Sequence, residues 1–258
     1  MKFRYAITRQ PGPEMVQGIS SANLGRPDFD LALDQHDGYV RALEHCGLEV
    51  VVLPADSRFP DGCFVEDTAV LAERVAVVDR PGAPTRQGEE AAIAEALKDF
   101  YGDLKTIESP GALEGGDVMR VIDHFYIGLS DRTNAAGAQQ LIAALETGGY
   151  TGFTVEMNEM LHLKTGVNYL DGATILVAGE FVDHPTFKDF TKIVIPKAEA
   201  YAANSLWIND TVLVPAGFPQ TLAAIQNAGY ATLEVEVSEF QKLDGGLSCL
   251  SLRFDPEA

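Results

Sequence analysis

One pattern restricts the fold of this chain more than any other: strand, strand, helix, strand recurs along it, and the last copy is completed only by both chain ends. The first copy spans Val70–Ser109. VLA turns at Glu73-Arg74 into VAVV, a helical stretch places Ile93, Leu97 and Phe100 on one face, and a third strand follows near LKTIE. VMRVI, FYIG, a helix opened by Asn134 and closed by Gly148-Gly149, and FTVEM make the second copy. The third runs from VNYL-DG-ATILVAGE to KIVIP, with a degraded helix around Pro185–Phe190. The fourth is SLWI-ND-TVLVPAG, a helix Pro219–Ala228, and LEVEV. For the fifth, the C-terminus supplies only LSCLSLRF; RYAIT, a helix from Asp30 to His45, and LEVVVLP come from the N-terminus. An open sheet of ordinary α/β units has no need of such a split. The expected fold is therefore α/β, a closed ring of five ββαβ units with pseudo-fivefold symmetry, forming one catalytic domain over residues 1–258.

A ring of repeats brings equivalent positions to its axis. The residues just before or within each first strand are Glu66-Asp67, Glu114 with Asp117, His162, Asn204, and Asp244 with Cys249. These are the ionisable and nucleophilic types that acyl or amidine transfer requires.

Three cysteines compete for the nucleophile's role. Cys46 shares a helical stripe with Leu33, Val40 and Leu43 and reads as packing. Cys63 lies in FPDGCFVED among carboxylates that disfavour a thiolate. Cys249 follows the DGGLS turn at the axial start of a strand. Of five histidines, His162 alone falls at a unit boundary. Asp61, Glu66 and Asp67 gather beside Phe59, Phe64 and Val65, and such carboxylates accept the parallel N–H bonds of a guanidinium. Arg86 and Arg132 hold matching positions after second strands, where they could clamp a substrate carboxylate. Together these features describe an amino acid with a cationic tail.

Composition agrees. A net charge of −19 repels nucleic acid and anionic membrane, and 46% hydrophobic residues suffice for a large core. The N-terminal residues lack a signal-peptide apolar region, and the longest aliphatic runs, such as Val75–Val78, are too short to span a bilayer. An odd cysteine count without CxxC predicts neither disulfides nor structural zinc, and a reducing, cytoplasmic setting. A homodimer is compatible with the ring, although no residue pattern marks its face.

The motifs FPDGCFVED, RPGAPTRQGE, PGALEGGD, HFYIG, RTNAAG, LHLKTG, YAAN and KLDGGLSCLSLRF, in this order over nearly the whole chain, resemble the dimethylarginine dimethylaminohydrolases of the guanidino-modifying superfamily. The resemblance implies the five-bladed α/β propeller, or pentein, and hydrolysis of Nω-methylated arginines to citrulline without metal or cofactor. It implies Cys249 as nucleophile, His162 as general acid and base, and Glu114 as the carboxylate orienting it. Asp61, Glu66 and Asp67 match the substrate-binding acids, and Arg86 and Arg132 the residues on the substrate α-carboxylate. Ile19, Leu161 and Asp244 match pocket positions acting partly through main chain. Arginine and agmatine deiminases carry HxD, whereas this chain has His162-Leu163-Lys164. The missing carboxylate leaves room beside a substituted nitrogen. A non-catalytic arginine-binding pentein would have lost the cysteine or the histidine, and both are present.

Overall fold

The computed structural model describes residues 2–257. It begins with β1 (Tyr5–Arg9), α1 (Phe29–His45) and β2 (Glu49–Leu53). The first full unit is β3 (Ala69–Leu71), β4 (Ala76–Val78), α2 (Glu90–Leu97) and β5 (Lys105–Thr106). The second is β6 (Val118–Val121), β7 (His124–Leu129), α3 (Ala135–Glu146) and β8 (Thr151–Glu156). A short α4 (Leu163–Gly166) introduces the third unit, β9 (Val167–Tyr169), β10 (Thr174–Val177) and β11 (Thr191–Val194). Then come β12 (Leu206–Ile208), β13 (Thr211–Pro215), α5 (Pro219–Asn227), β14 (Ala231–Val235) and finally β15 (Leu252–Phe254).

These strands form five three-stranded sheets of one design. The first strand is antiparallel to the second, and the third is parallel to the second. The split unit obeys the same rule: β15 pairs antiparallel with β1, Tyr5 opposite Phe254, and β1 pairs parallel with β2. The α/β repeat is thus present, and none of the sheets closes on itself.

Local chemistry accounts for the elements. Asp28 caps α1 by accepting the Leu31 amide at 3.1 Å, and Asn134 caps α3 by accepting the Gly137 amide at 2.8 Å. Asn209 and Asp210 both take positive φ between β12 and β13, the two-residue hairpin turn that matches strand twist. Five apolar clusters each draw on two sheets. Val77 and Phe125 join the β4 and β7 sheets, Met119 and Ile175 the β6 and β10 sheets, and Leu176 and Val212 the β10 and β13 sheets. Ala6 with Leu213, and Ile7 with Ala76, seat the split sheet on both its neighbours. No helix among the described residues is long and apolar enough to cross a membrane.

One sequence expectation needs correction. LSCLSLRF is not one strand: Ser248–Leu250 is a 3-10 turn and pairing starts at Leu252, so Cys249 sits on a turn rather than in a sheet. The degraded helix expected in the third unit is present, as the 3-10 turns Gly179–Phe181 and Pro185–Phe187 where the others have an α-helix.

Candidate active site

A short turn precedes every first strand: Val65–Thr68, Gly115–Asp117, α4, Lys197–Ala203 and Ser248–Leu250. These turns are bonded to one another in succession. The Gly116 amide donates to Asp67 Oδ1 at 2.8 Å, and the Leu163 amide to Asp117 Oδ1 at 3.0 Å. Asn204 Nδ2 donates to the Lys164 carbonyl, the Ser248 amide donates to Asn204 Oδ1, and Ser248 Oγ donates to Glu66 Oε2 at 2.6 Å. The fifth turn is thereby tied back to the first. The axial residues inferred from the repeat belong to these turns or their caps, except Asp244, which lies in the loop before Ser248–Leu250.

A cavity of about 130 Å³ opens on one side of this assembly. Cys249, His162, Glu114 and Asp67 line it, with Arg86 and Arg132 on its wall. Ile19, Asp61, Leu161 and Asp244 complete the surround. The segment after Gly18 straps across it: the Ile19 amide donates to Asp61 Oδ1 at 3.0 Å and the Ser21 amide to Asp244 Oδ2 at 2.5 Å. Glu66 lies elsewhere. It lines a recess of about 30 Å³, room for one water, on the other side of Cys249, shared with His162, Lys164 and Asn204. Its Oε1 accepts Lys164 Nζ at 2.6 Å and Arg253 Nη2 at 2.8 Å.

Glu114 is fully buried and accepts at both oxygens, from the Ala83 amide at Oε1 and from His162 Nε2 at Oε2, 2.9 Å away. Its pKa sits at about 2: burial pushes it up, but the His162 hydrogen bond and charge, then Arg86 and the Ala83 amide, outweigh burial. Burial works against the His162 cation as well. Asp67, then Glu114 and Asp117, overcome it and lift the imidazole to about 9. His162 is thus poised as a proton donor at neutral pH. The Cys249 thiol is pushed up to about 12 by burial, Glu66 and Asp67, while the Gly246 amide and Lys164 pull the other way. The free site therefore holds a thiol facing carboxylates, and a cation placed among those carboxylates would favour the thiolate.

Cys63 and Cys46 are both buried and line neither space. Arg86 has its guanidinium committed to Asp67 at 2.5 Å, to Glu89 and to the Phe64 carbonyl, leaving a single Nη1 proton. Arg132 is freer, with Nη1 3.5 Å from Glu114 Oε1. Asp67, Glu114 and His162 offer ligand atoms within 4.8 Å of one another, but the last two are already hydrogen-bonded together.

Gly116 is a position packed against the candidate site that motif reading passed over, although the doubled glycine of EGGD signals close backbone approach. A Cβ there would lie 2.8 Å from both His162 Nδ1 and Asp67 Oδ1. Gly116→Ala is expected to displace both groups and lower kcat/KM by about 10- to 100-fold, read in steady-state kinetics.

A family model described as N,N dimethylarginine dimethylhydrolase, eukaryotic, matches residues 28–194. The N(G),N(G)-dimethylarginine dimethylaminohydrolase of Pseudomonas aeruginosa is 50% identical over 253 residues, covering 98% of this chain and all of that protein. That of Streptomyces coelicolor is 36% identical and covers 98% of each. A cysteine-to-serine mutant of the Pseudomonas aeruginosa protein complexed with citrulline superposes with a TM-score of 0.97 at 48% identity, over 98% of this chain and 100% of that one. The N-terminal domain of ArgZ, a cyanobacterial arginine dihydrolase, reaches 0.84 at 18% identity over 99% of each chain, a likeness of fold alone.

Proposed function

The chain belongs to the dimethylarginine dimethylaminohydrolase family, and from that premise we propose that it hydrolyses Nω,Nω-dimethyl-L-arginine and Nω-monomethyl-L-arginine to L-citrulline and dimethylamine or methylamine. The observation that carries this reading is the meeting of a thiol, a cationic histidine on a buried glutamate, and the Asp67 carboxylate around one small cavity.

The substrate guanidinium sits against Asp67, with Asp61 and Glu66 adding negative potential, and its charge draws the Cys249 thiol toward thiolate. Sulfur attacks the guanidinium carbon. His162 gives its proton to the alkylated nitrogen as that C–N bond breaks, and an S-alkylthiouronium remains on Cys249. The neutral imidazole then takes one proton from the attacking water, the C–S bond breaks as the remaining hydroxyl proton passes to sulfur, and citrulline leaves with the thiol restored. Glu114 keeps His162 oriented and favours its charged form. Arg132, with the remaining Arg86 proton, receives the α-carboxylate, and main-chain groups at Ile19, Leu161 and Asp244 hold the rest. Lys164 is spent on Glu66, so no side chain grips the guanidinium from where a deiminase has its aspartate.

The same reading makes the five sheets a closed five-bladed ring, one catalytic domain working in a reducing cytoplasm. The five apolar clusters and the return of the Ser248 bond to Glu66 support closure. Incubation with asymmetric dimethylarginine should release citrulline and dimethylamine in equal amounts. Ammonia from unsubstituted arginine, with no alkylamine from the methylated substrates, would overturn the proposal in favour of a deiminase.

A further inference from the structure

The third unit, which lacks its helix, uses the vacated span to hold its neighbour. Between β8 and α4 runs a linker carrying Leu161 and His162. Glu180 reaches it from the turn after β10: Oε2 accepts the Asn158 amide at 2.8 Å, and Oε1 accepts the Glu159 and Met160 amides, each at 2.9 Å. Three successive amides aimed at one carboxylate form a nest with charge-assisted bonds. Burial works against the Glu180 charge, but the Glu159, Met160 and Asn158 amides outweigh it and hold its pKa down. His184 adds a second anchor. Its Nδ1 accepts the Thr186 amide, which leaves the ring proton on Nε2, 3.1 Å from the Glu156 carbonyl. Gly179 has φ +54°, and a Cβ there would lie 2.3 Å from Met160 Cε, so glycine lets the two segments close.

The two functional ends of the linker differ in their other supports. His162 is held by Glu114, and its neighbour Leu163 by Asp117. Leu161 is 38% exposed on the cavity wall and, among the described residues, belongs to none of the five apolar clusters. We infer that Glu180 and His184 are positioning residues that set the Leu161 wall of the substrate cavity. This rests on the proposed function for its kinetic readout, but not for its structural one.

Glu180→Ala is expected to raise KM for dimethylarginine by about tenfold while kcat stays within about threefold, because His162 keeps its own anchors. Glu180→Gln, which retains one acceptor oxygen, should fall between that variant and the wild type, and His184→Asn should move KM in the same direction. Hydrogen exchange at amides 158–160 should quicken in Glu180→Ala while α3 is unchanged. Glu199→Ala is the comparison: Glu199 accepts the Gln220 and Thr221 amides in the same manner at the start of α5, and its loss should lower Tm without moving KM. A wild-type KM in Glu180→Ala, or exchange at 158–160 that is as fast in the wild type as in Glu180→Ala, overturns the inference. Should Glu180→Ala fail to fold, His184→Asn and wild-type exchange at 158–160 decide the matter. A wild type that turns over no methylarginine sinks the proposed function instead, and the exchange comparison still judges the clamp.

Discussion

Cys249→Ser is expected to lower citrulline formation by on the order of 10⁴-fold or more, leaving Tm within a few degrees of wild type. Serine matches the shape of cysteine, so the turn Ser248–Leu250 and its bond to Asn204 survive. What is lost is an ionisable nucleophile. The resting thiol already stands at about 12, and only its response to a bound cation brings it into reach. A hydroxyl starts far higher and no base adjoins it, since His162 is protonated in the same state. Cys63→Ser is the discriminating control. That thiol is buried beside Asp61, away from both spaces around Cys249, and its pKa is raised by burial first. Its replacement should cost stability, about 1–3 kcal/mol for a buried hydroxyl, but not turnover. The opposite result for the two variants would displace Cys249 from the mechanism.

Glu114→Gln should lower kcat by roughly 10²- to 10⁴-fold, and its pH profile carries the more specific information. In the wild type the imidazole is cationic up to about pH 9, so amine departure loses its acid only above that. Removing the Glu114 charge moves this alkaline limb to lower pH. Burial, the largest influence and a lowering one, stays in place, opposed then by Asp67 and Asp117. Single-turnover amine release against pH measures this directly; an unmoved limb would mean that Glu114 only positions the ring. Stability follows by linkage. A histidine lifted to about 9 contributes stability that is complete below about pH 6.5 and is lost as pH rises through 9. A glutamate held at about 2 contributes stability present above its ordinary 4.5 and lost as pH falls through 2. The Tm gap between wild type and variant should therefore be widest between about pH 4.5 and 6.5.

Much of this was legible in the residues, for identifiable reasons. Strand pairs with short turns, helices closed by glycine and a recurring order made the repeat readable without contact information, down to the Asn134 cap and the Asn209-Asp210 hairpin. Convergence at the axis then followed from symmetry. Three things did not follow. LSCLSLRF alternates like a strand, yet it leaves Gly245-Gly246 as a 3-10 turn, because Ser248 is held by Asn204 rather than by a sheet partner. Glu66 and Asp67 are adjacent, but one step along a 3-10 turn rotates a side chain by about 120°, so they face different spaces. Arg86 and Arg132 hold matching sequence positions and differ in freedom, because Glu89 and Asp67 close on Arg86 alone. The carboxylate argument used against Cys63 also lacks force in three dimensions, since Cys249 faces carboxylates too. What separates the thiols is access to a cavity.

The pairing of β15 with β1 also orders events during synthesis. The sheet that begins at Tyr5 cannot be finished until Phe254 has left the ribosome, a contact spanning almost the entire sequence. Cys249 lies three residues before β15 and is among the last residues to be added. A nascent chain can thus assemble most of the cation-binding wall while carrying no competent thiol. Reactivity arrives last, in a molecule already built around it, and an interrupted product is an inert one.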